Sequence, residues 1–388
     1  MNYSNISDKV LFLLNIWQLP QVPKSDETNE TLVHNLLFTD SFFDRNSELL
    51  LILLYSVVAV TGILSNILMI TSLLIPPMLI RQACYFRFFL LMISNMILCF
   101  LCLPFTLSTL LWRNWILGYL ACNFIPSIQS IAFMINTQTT AMISVDRLLL
   151  VTSNSVTSRN SSAHTRGTWK YLIIETAVIW SIAILVSLPV LLYQDFMDVS
   201  IGETVVIKKC IEVWPSKGWK RAYHVFNMLF QFFVPAVVLL TTFSMITRHL
   251  YRSQGSSSLV ATNDMTSEPD NRTLSVSYNN STRRSKLHIP ADTSRETLCK
   301  RDHQVSRLLF WIVVCYCSTW GPWNLYNVYL NYNSLSEIEA EKLCLRLALL
   351  YLLVMVTIPV NALLYGWHNP CIRKQAVRIL VTLKLRPH

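Results

Sequence analysis

Seven long apolar segments constrain this chain more than anything else in it. They run near 48–75, 84–111, 120–151, 170–193, 223–250, 304–330 and 343–366. A helix that crosses a bilayer needs roughly 20 mostly apolar residues, and its backbone groups bond within the segment. One such run is compatible with a buried core helix. Seven in one chain make that reading very weak. The runs do not alternate with period two, which argues against barrel strands. Composition agrees, with 53% hydrophobic and 14% charged residues, whereas a soluble domain carries about 25% charged. The expected fold class is an all-α membrane protein, a seven-transmembrane helix bundle over residues 48–366.

Lys and Arg set the orientation, because they collect on the cytoplasmic side. With residues 1–47 outside, the larger share of the 32 basic residues falls inside, including Arg248, Arg252, Arg283, Arg284, Lys286, Lys300, Arg301, Arg373, Lys374 and Arg378. The net charge of +10 then describes a cytoplasmic face. A basic chain is also compatible with nucleic-acid binding, but these charges flank spans and form no single stripe. Asn-x-Ser/Thr sequons at Asn2, Asn5 and Asn29 suit a glycosylated extracellular tail. Matches at Asn160, Asn271, Asn279 and Asn280 fall in inner loops and read as chance. The short run "VLFLLNIW" lacks a small-residue cleavage site, so no cleavage is expected.

Three connections carry further expectations. Residues 251–303 are rich in Ser, Thr and Asn and read as a disordered third cytoplasmic loop. The stretch "GETVVIKKCIEVW" places the β-formers Val205, Ile207 and Ile211 beside Gly202, which suits a hairpin over the bundle. Residues 367–388 contain "NPCIRKQAVRILVTLKL", whose Ile372, Ala376, Ile379 and Leu380 suit an amphipathic helix on the inner membrane surface. Cys371 there reads equally as a lipidation site or a free thiol. Cys122 and Cys210 both fall on the oxidising side, which permits a disulfide. Closing so long a loop is worth on the order of 4 kcal/mol in a chain-entropy model. Cys315 and Cys317 lack a second ligand pair and read as packing, not zinc.

Polar residues inside spans are expensive, so each is a functional candidate. Here they form an ordered set: Asn66, Asn95, Asp146 with Arg147, Trp180, Pro235, Trp320 with Pro322, and Asn361 with Tyr365. That order, with "WILGYLAC" at 115–122, resembles the rhodopsin-like (class A) G-protein-coupled receptors over residues 48–383. The resemblance implies a plasma-membrane, multi-pass receptor that is not an enzyme, with a Cys122–Cys210 disulfide. Its switch would use Asp146, Arg147, Trp320, Pro322, Asn361, Tyr365, Asn66 and Asn95. Asp146 would pair with Arg147 at rest. Release of Arg147 would open the site for a heterotrimeric G protein, of Gi/o type by analogy, with arrestin as a further partner. Asn361 would bond toward Asn66 and Asn95.

Simple chemistry narrows the ligand. An amine receptor of this family needs a carboxylate where Gln129 stands, and an opsin needs a Lys between Lys342 and Lys374. "CLPFT", "NFIPSIQSI", "CIEVWP", "QFFVP", "WNLYN" and "LYGWHN" resemble the neuropeptide Y/neuropeptide F-type receptors. By that resemblance Gln129 contacts the amidated end of a peptide, with Gln231, Asn327, Asn331 and Thr106 in the same pocket. The plain alternative is that these polar groups hydrogen-bond one another. Asn331 stands where those relatives carry an acidic residue, and a neutral amide grips a guanidinium less strongly.

Other departures touch the switch: Asn95 for the usual Asp, Leu148 and Phe243 for Tyr, Thr319 for Cys and Ala362 for Pro. Asn95 removes the carboxylate at the core of the family's sodium site, so no metal or other cofactor is expected. The departures leave a non-signalling decoy receptor as an alternative, beside a receptor for a non-peptide ligand. An enzyme has little support, since there is no HExxH or GxSxG and Glu175 is the only free carboxylate deep in a span.

Overall fold

The computed structural model describes residues 43, 45–74, 83–111, 115, 117–153, 161–201, 205–264, 291–332 and 340–384. The glycosylation candidates Asn2, Asn5 and Asn29 lie outside them. Seven helices occupy the seven apolar segments. α1 is Arg45–Leu74; α2 runs in three pieces, Ala83–Ile97, a π-helical turn Leu98–Cys102, and Leu103–Leu111. α3 is Gly118–Ser153 and α4 is Ser161–Tyr193. α5 is Lys217–Met228, a second π-helical turn Leu229–Phe233, and Val234–Asp264. α6 is Ala291–Tyr332, and α7 is Ala340–Met355 followed by Thr357–His368. Six of the seven are long and apolar enough to cross a membrane by length and composition. The outer half of α6, "STWGPWNLYN", is diluted by Trp, Tyr and Asn.

α3 is the central strut, packing against α2, α4 and α5, while α7 packs against α1, α2 and α6. The apolar sequence serves both faces: Leu64, Leu120 and Leu185 point out, whereas Leu51, Leu91, Met134 and Leu239 fill the interior. Hydroxyls tie neighbouring helices together. Ser187 donates to Ser130 at 2.8 Å, Thr242 to Ser144 at 3.0 Å, and Tyr55 to the Ala348 carbonyl at 2.9 Å. Such bonds are affordable inside a bilayer because no water competes for the groups.

Prolines explain the breaks. Each π-helical turn ends two residues before a proline, Pro104 in α2 and Pro235 in α5. A proline removes one donor and crowds the carbonyl four residues back, and a widened turn makes room. In α7 the break is at Val356, three residues before Pro359. Pro359 therefore supplies the bend, and Ala362 sits in regular helix beyond it, fully buried.

The expected hairpin forms. β1 (Gln194–Ile201) pairs antiparallel with β2 (Val205–Glu212), with Phe196 opposite Cys210. The Cys122–Cys210 bond joins it to α3 across a Cα–Cα distance of 5.6 Å. Beside it the "WILG" motif closes a turn: Trp115 donates its indole N–H to the Gly118 carbonyl at 2.8 Å. Gly118 has φ 78°, a left-handed conformation that glycine adopts without strain. After α7, α8 (Pro370–Lys384) packs on α1 and α7 through buried Ile372 and Ala376. Two helices run further than composition suggests. α5 reaches Asp264 and α6 starts at Ala291, so both extend into the 251–303 connection. Propagating an established helix costs far less than nucleating one. Residues 265–290 of that connection lie outside the described set.

Candidate functional site

Two polar assemblies lie along the bundle, one in its outer half and one near its inner end. In the outer half, Thr106 on α2 donates to Gln129 Oε1 on α3 at 3.3 Å. These two expected site residues are thus brought together. Gln231 is buried within the second π turn and accepts from Asn227 Nδ2 at 3.1 Å. Asn327 and Asn331 turn their amides back onto α6, donating to the Trp323 and Asn327 carbonyls at 2.7 Å each. Gln231, Asn327 and Asn331 therefore do not join the Thr106–Gln129 bond.

Two further features of the outer half were missed in the sequence. Tyr351 on α7 is buried, with its ring centroid 6.0 Å from Phe133 and 5.6 Å from Trp323. Its buried hydroxyl faces Thr106, outside ordinary hydrogen-bond geometry. An aromatic hydroxyl four residues past Leu347 in an apolar run was the available signal. Arg221, at the outer end of α5, donates from Nε to the Asn331 carbonyl at 2.8 Å and lies 5.2 Å from the Tyr332 ring centroid. A guanidinium thus stands beside the position where the resemblance led one to look for an acid. Glu212, an outer carboxylate, is already engaged by Trp214 at 2.9 Å and Lys220 at 3.8 Å.

Trp320 connects the two assemblies. It is 2% exposed and packs edge-on against Phe133 at 5.1 Å and beside Tyr316 at 6.3 Å. Below it, Tyr316 donates to the Gln231 carbonyl at 2.6 Å. That carbonyl is the one Pro235, four residues on, cannot serve. Gln138 of α3 donates to the adjacent Phe230 carbonyl at 2.6 Å. The π turn's spare acceptors therefore bind α5 to both α3 and α6. Pro322 is two residues beyond Trp320, on the exposed side of α6.

The inner assembly begins with three buried asparagines. Asn95 donates to Asn66 Oδ1 at 3.0 Å, and Asn136 donates to Asn95 Oδ1 at 2.5 Å. Asn66 donates to the Gly62 carbonyl at 2.7 Å. The expectation that Asn361 would bond to Asn66 and Asn95 is corrected. Asn95 gives its NH2 to Asn66 and its oxygen to Asn136, and no hydrogen bond joins Asn361 to either Asn66 or Asn95 among the described residues. Asn136 was legible as a polar residue inside the third span but was not singled out.

The expected Asp146–Arg147 pair is also corrected. Asp146 Oδ2 accepts from Arg87 Nη1 at 2.7 Å. Adjacent residues on a helix do not face one another, so a partner on another helix wins. Glu175 is not free: Arg87 Nε donates to its Oε1 at 2.8 Å, and Arg87 Nη2 pairs with Oε2. Arg147 instead lies over the Phe88 ring, 5.4 Å from the centroid, with its Nε buried and unbonded among the described residues. Tyr365 packs on the same ring, 5.1 Å between centroids. Arg87 and Glu175, opposite charges within the second and fourth apolar segments, were the signal in the sequence. Trp180 is 41% exposed and lines a groove of about 330 Å³ with Phe86, Leu90, Ile173, Thr176 and Ala177.

Known proteins carry the same pattern. A family model described as 7 transmembrane receptor (rhodopsin family) matches residues 65–370. The neuropeptide F receptor of Drosophila melanogaster is 24% identical over 85% of this chain, which spans 62% of that protein's own length. The neuropeptide Y receptor type 2 of Cavia porcellus is 22% identical over 84% of this chain and 75% of its own. The neuropeptide Y receptor type 6 of Oryctolagus cuniculus is 24% identical, covering 86% and 80% respectively.

Proposed function

Because the chain belongs to the rhodopsin family of seven-transmembrane receptors, and so is a receptor and not an enzyme, we propose that it receives an extracellular, C-terminally amidated peptide. Binding would be passed to a heterotrimeric G protein of the Gi/o type by outward movement of α6, at the plasma membrane with the N-terminus outside. The single observation that carries this reading is the Thr106–Gln129 bond in the outer half of the bundle. A carboxamide offers one acceptor and two donors, as Gln129 itself does, so it can insert between the two side chains. The names of the relatives support a peptide of the neuropeptide Y/F type. Tyr351, with its hydroxyl facing Thr106, joins the proposed contact set with Gln231 and Asn327.

At the rim, Arg221 beside Asn331 favours an acidic over a basic residue in the peptide near its amidated end. Asp146, Arg147, Asn361 and Tyr365 form the proposed inner switch, and Trp320 with the bend at Pro322 couples the pocket to it. The test is a screen of amidated peptides on cells, reading cAMP and arrestin recruitment together. A response lost on Gln129→Ala, at unchanged surface expression, supports the pocket. Binding without either response points to the decoy. A response only to a small amine or lipid sinks the peptide reading.

A further inference from the structure

Ionised groups inside a span persist only when each is answered, and here four stand together with no net charge between them. Arg87 and Phe88 are adjacent on α2; Asp146 and Arg147 are adjacent on α3. The two pairs interlock. Arg87 takes the Asp146 carboxylate at 2.7 Å, and Phe88 takes the Arg147 guanidinium on its ring face at 5.4 Å. Glu175 on α4 completes the set by occupying Nε and Nη2 of Arg87, in the two-point fork that suits a guanidinium best. The fork fixes the plane of the guanidinium and aims Nη1 at Asp146.

Arg87 and both carboxylates are largely screened from solvent, with side-chain exposures of 11%, 17% and 18%. Among the described residues, Arg147 has no carboxylate within ion-pair distance. Its guanidinium lies on the Phe88 ring, which Tyr365 also contacts.

We propose that Arg87 and Glu175 are positioning residues for Arg147: by fixing Asp146 between α2 and α4, they draw its carboxylate out of ion-pair distance of Arg147 and leave the guanidinium on the Phe88 ring. This rests on the reading of Arg147 as the residue that meets the G protein. The resting restraint of the switch is then a helix-to-helix staple that does not include Arg147. A cation on a ring face is held less tightly than one in a desolvated carboxylate fork. Arg147 is accordingly held more loosely than in a direct ion pair, and Asp146 acts on it only at a distance.

A cycle of variants tests this in the full-length receptor, without ligand and at matched surface expression. Asp146→Asn changes basal G-protein dissociation less in the native background than in one without the staple, because Arg87 and Glu175 already draw the Asp146 carboxylate away from Arg147. Arg87→Gln with Glu175→Gln removes the staple without leaving two carboxylates facing each other. Asp146 then turns to Arg147, and basal signalling falls roughly tenfold, within the usual range of a coupling between sites. Adding Asp146→Asn to that background restores it. Equal effects of Asp146→Asn in the two backgrounds overturn the proposal.

A second readout does not depend on coupling. Thermal melting of the purified receptor, in the Glu175→Gln background, couples Asp146 to Arg87 and not to Arg147. The opposite pattern overturns the staple. Silence of every variant in the signalling assay with the melting pattern intact sinks the G-protein reading and leaves the staple standing.

Discussion

Gln129 and Thr106 are where a single side chain tests most. Both lie in the outer half of the bundle, and the Thr106 hydroxyl donates to Gln129 Oε1. A typical bond contributes about 0.5–1.5 kcal/mol net, so Thr106→Val lowers the affinity of the proposed peptide ligand by roughly threefold to tenfold. A ligand-binding titration at matched surface expression checks it. Gly62 makes a different test. A Cβ there would meet the Cys99 sulfur at 2.7 Å and Ile358 at 3.2 Å, and its carbonyl accepts from Asn66. Gly62→Ala therefore costs about 1–3 kcal/mol by overpacking, read as a lower melting temperature. The polar types and their helices were legible at this scale, but their partners were not. Asp146 and Arg147 are neighbours in sequence, and sequence adjacency suggested a pair that helix geometry turns apart.

Elements carry the strain that prolines introduce. The widened turn before Pro235 exposes the Gln231 carbonyl, and the Tyr316 hydroxyl reaches it from α6 at 2.6 Å. Tyr316→Phe leaves a buried acceptor unserved at a cost of about 1–3 kcal/mol and loosens α5 from α6. Its melting temperature falls; an unchanged value would mean the carbonyl finds another donor. In α7 the bend belongs to Pro359, and Ala362 lies in unbroken helix with its side chain fully buried. Ala362→Pro would remove a second helical bond at a cost of about 3 kcal/mol. A melting curve alongside basal signalling checks this, and no change in either would make the missing proline immaterial. The prolines were plain in the sequence as bends. The π turns were not, because they arise where a ring needs room and a neighbouring helix supplies donors for the carbonyls released.

At the scale of the whole molecule, the described residues form a bundle with one disulfide tether. The Cys122–Cys210 bond pins β2 to the top of α3. Replacing both cysteines by Ser removes up to about 4 kcal/mol of loop constraint and frees the hairpin over the bundle. Peptide affinity and melting temperature both fall, and intact affinity would show that the hairpin does not shape the pocket. At this scale the sequence by itself determined a great deal. Seven apolar runs, an asymmetric basic charge and two outer cysteines dictate a seven-helix membrane bundle, since a bilayer accepts few other ways to satisfy a backbone. It determined the family as well, through polar residues that recur in a fixed order along those runs. Only the tertiary structure decided which buried groups meet. Arg87 reaching both Asp146 and Glu175, Asn136 taking the place expected of Asn361, and Arg147 left on Phe88 all depend on helix rotation and depth. Hydrophobic length fixes where a helix crosses the membrane. It says little about the few ångströms and tens of degrees that decide which carboxylate a guanidinium will find.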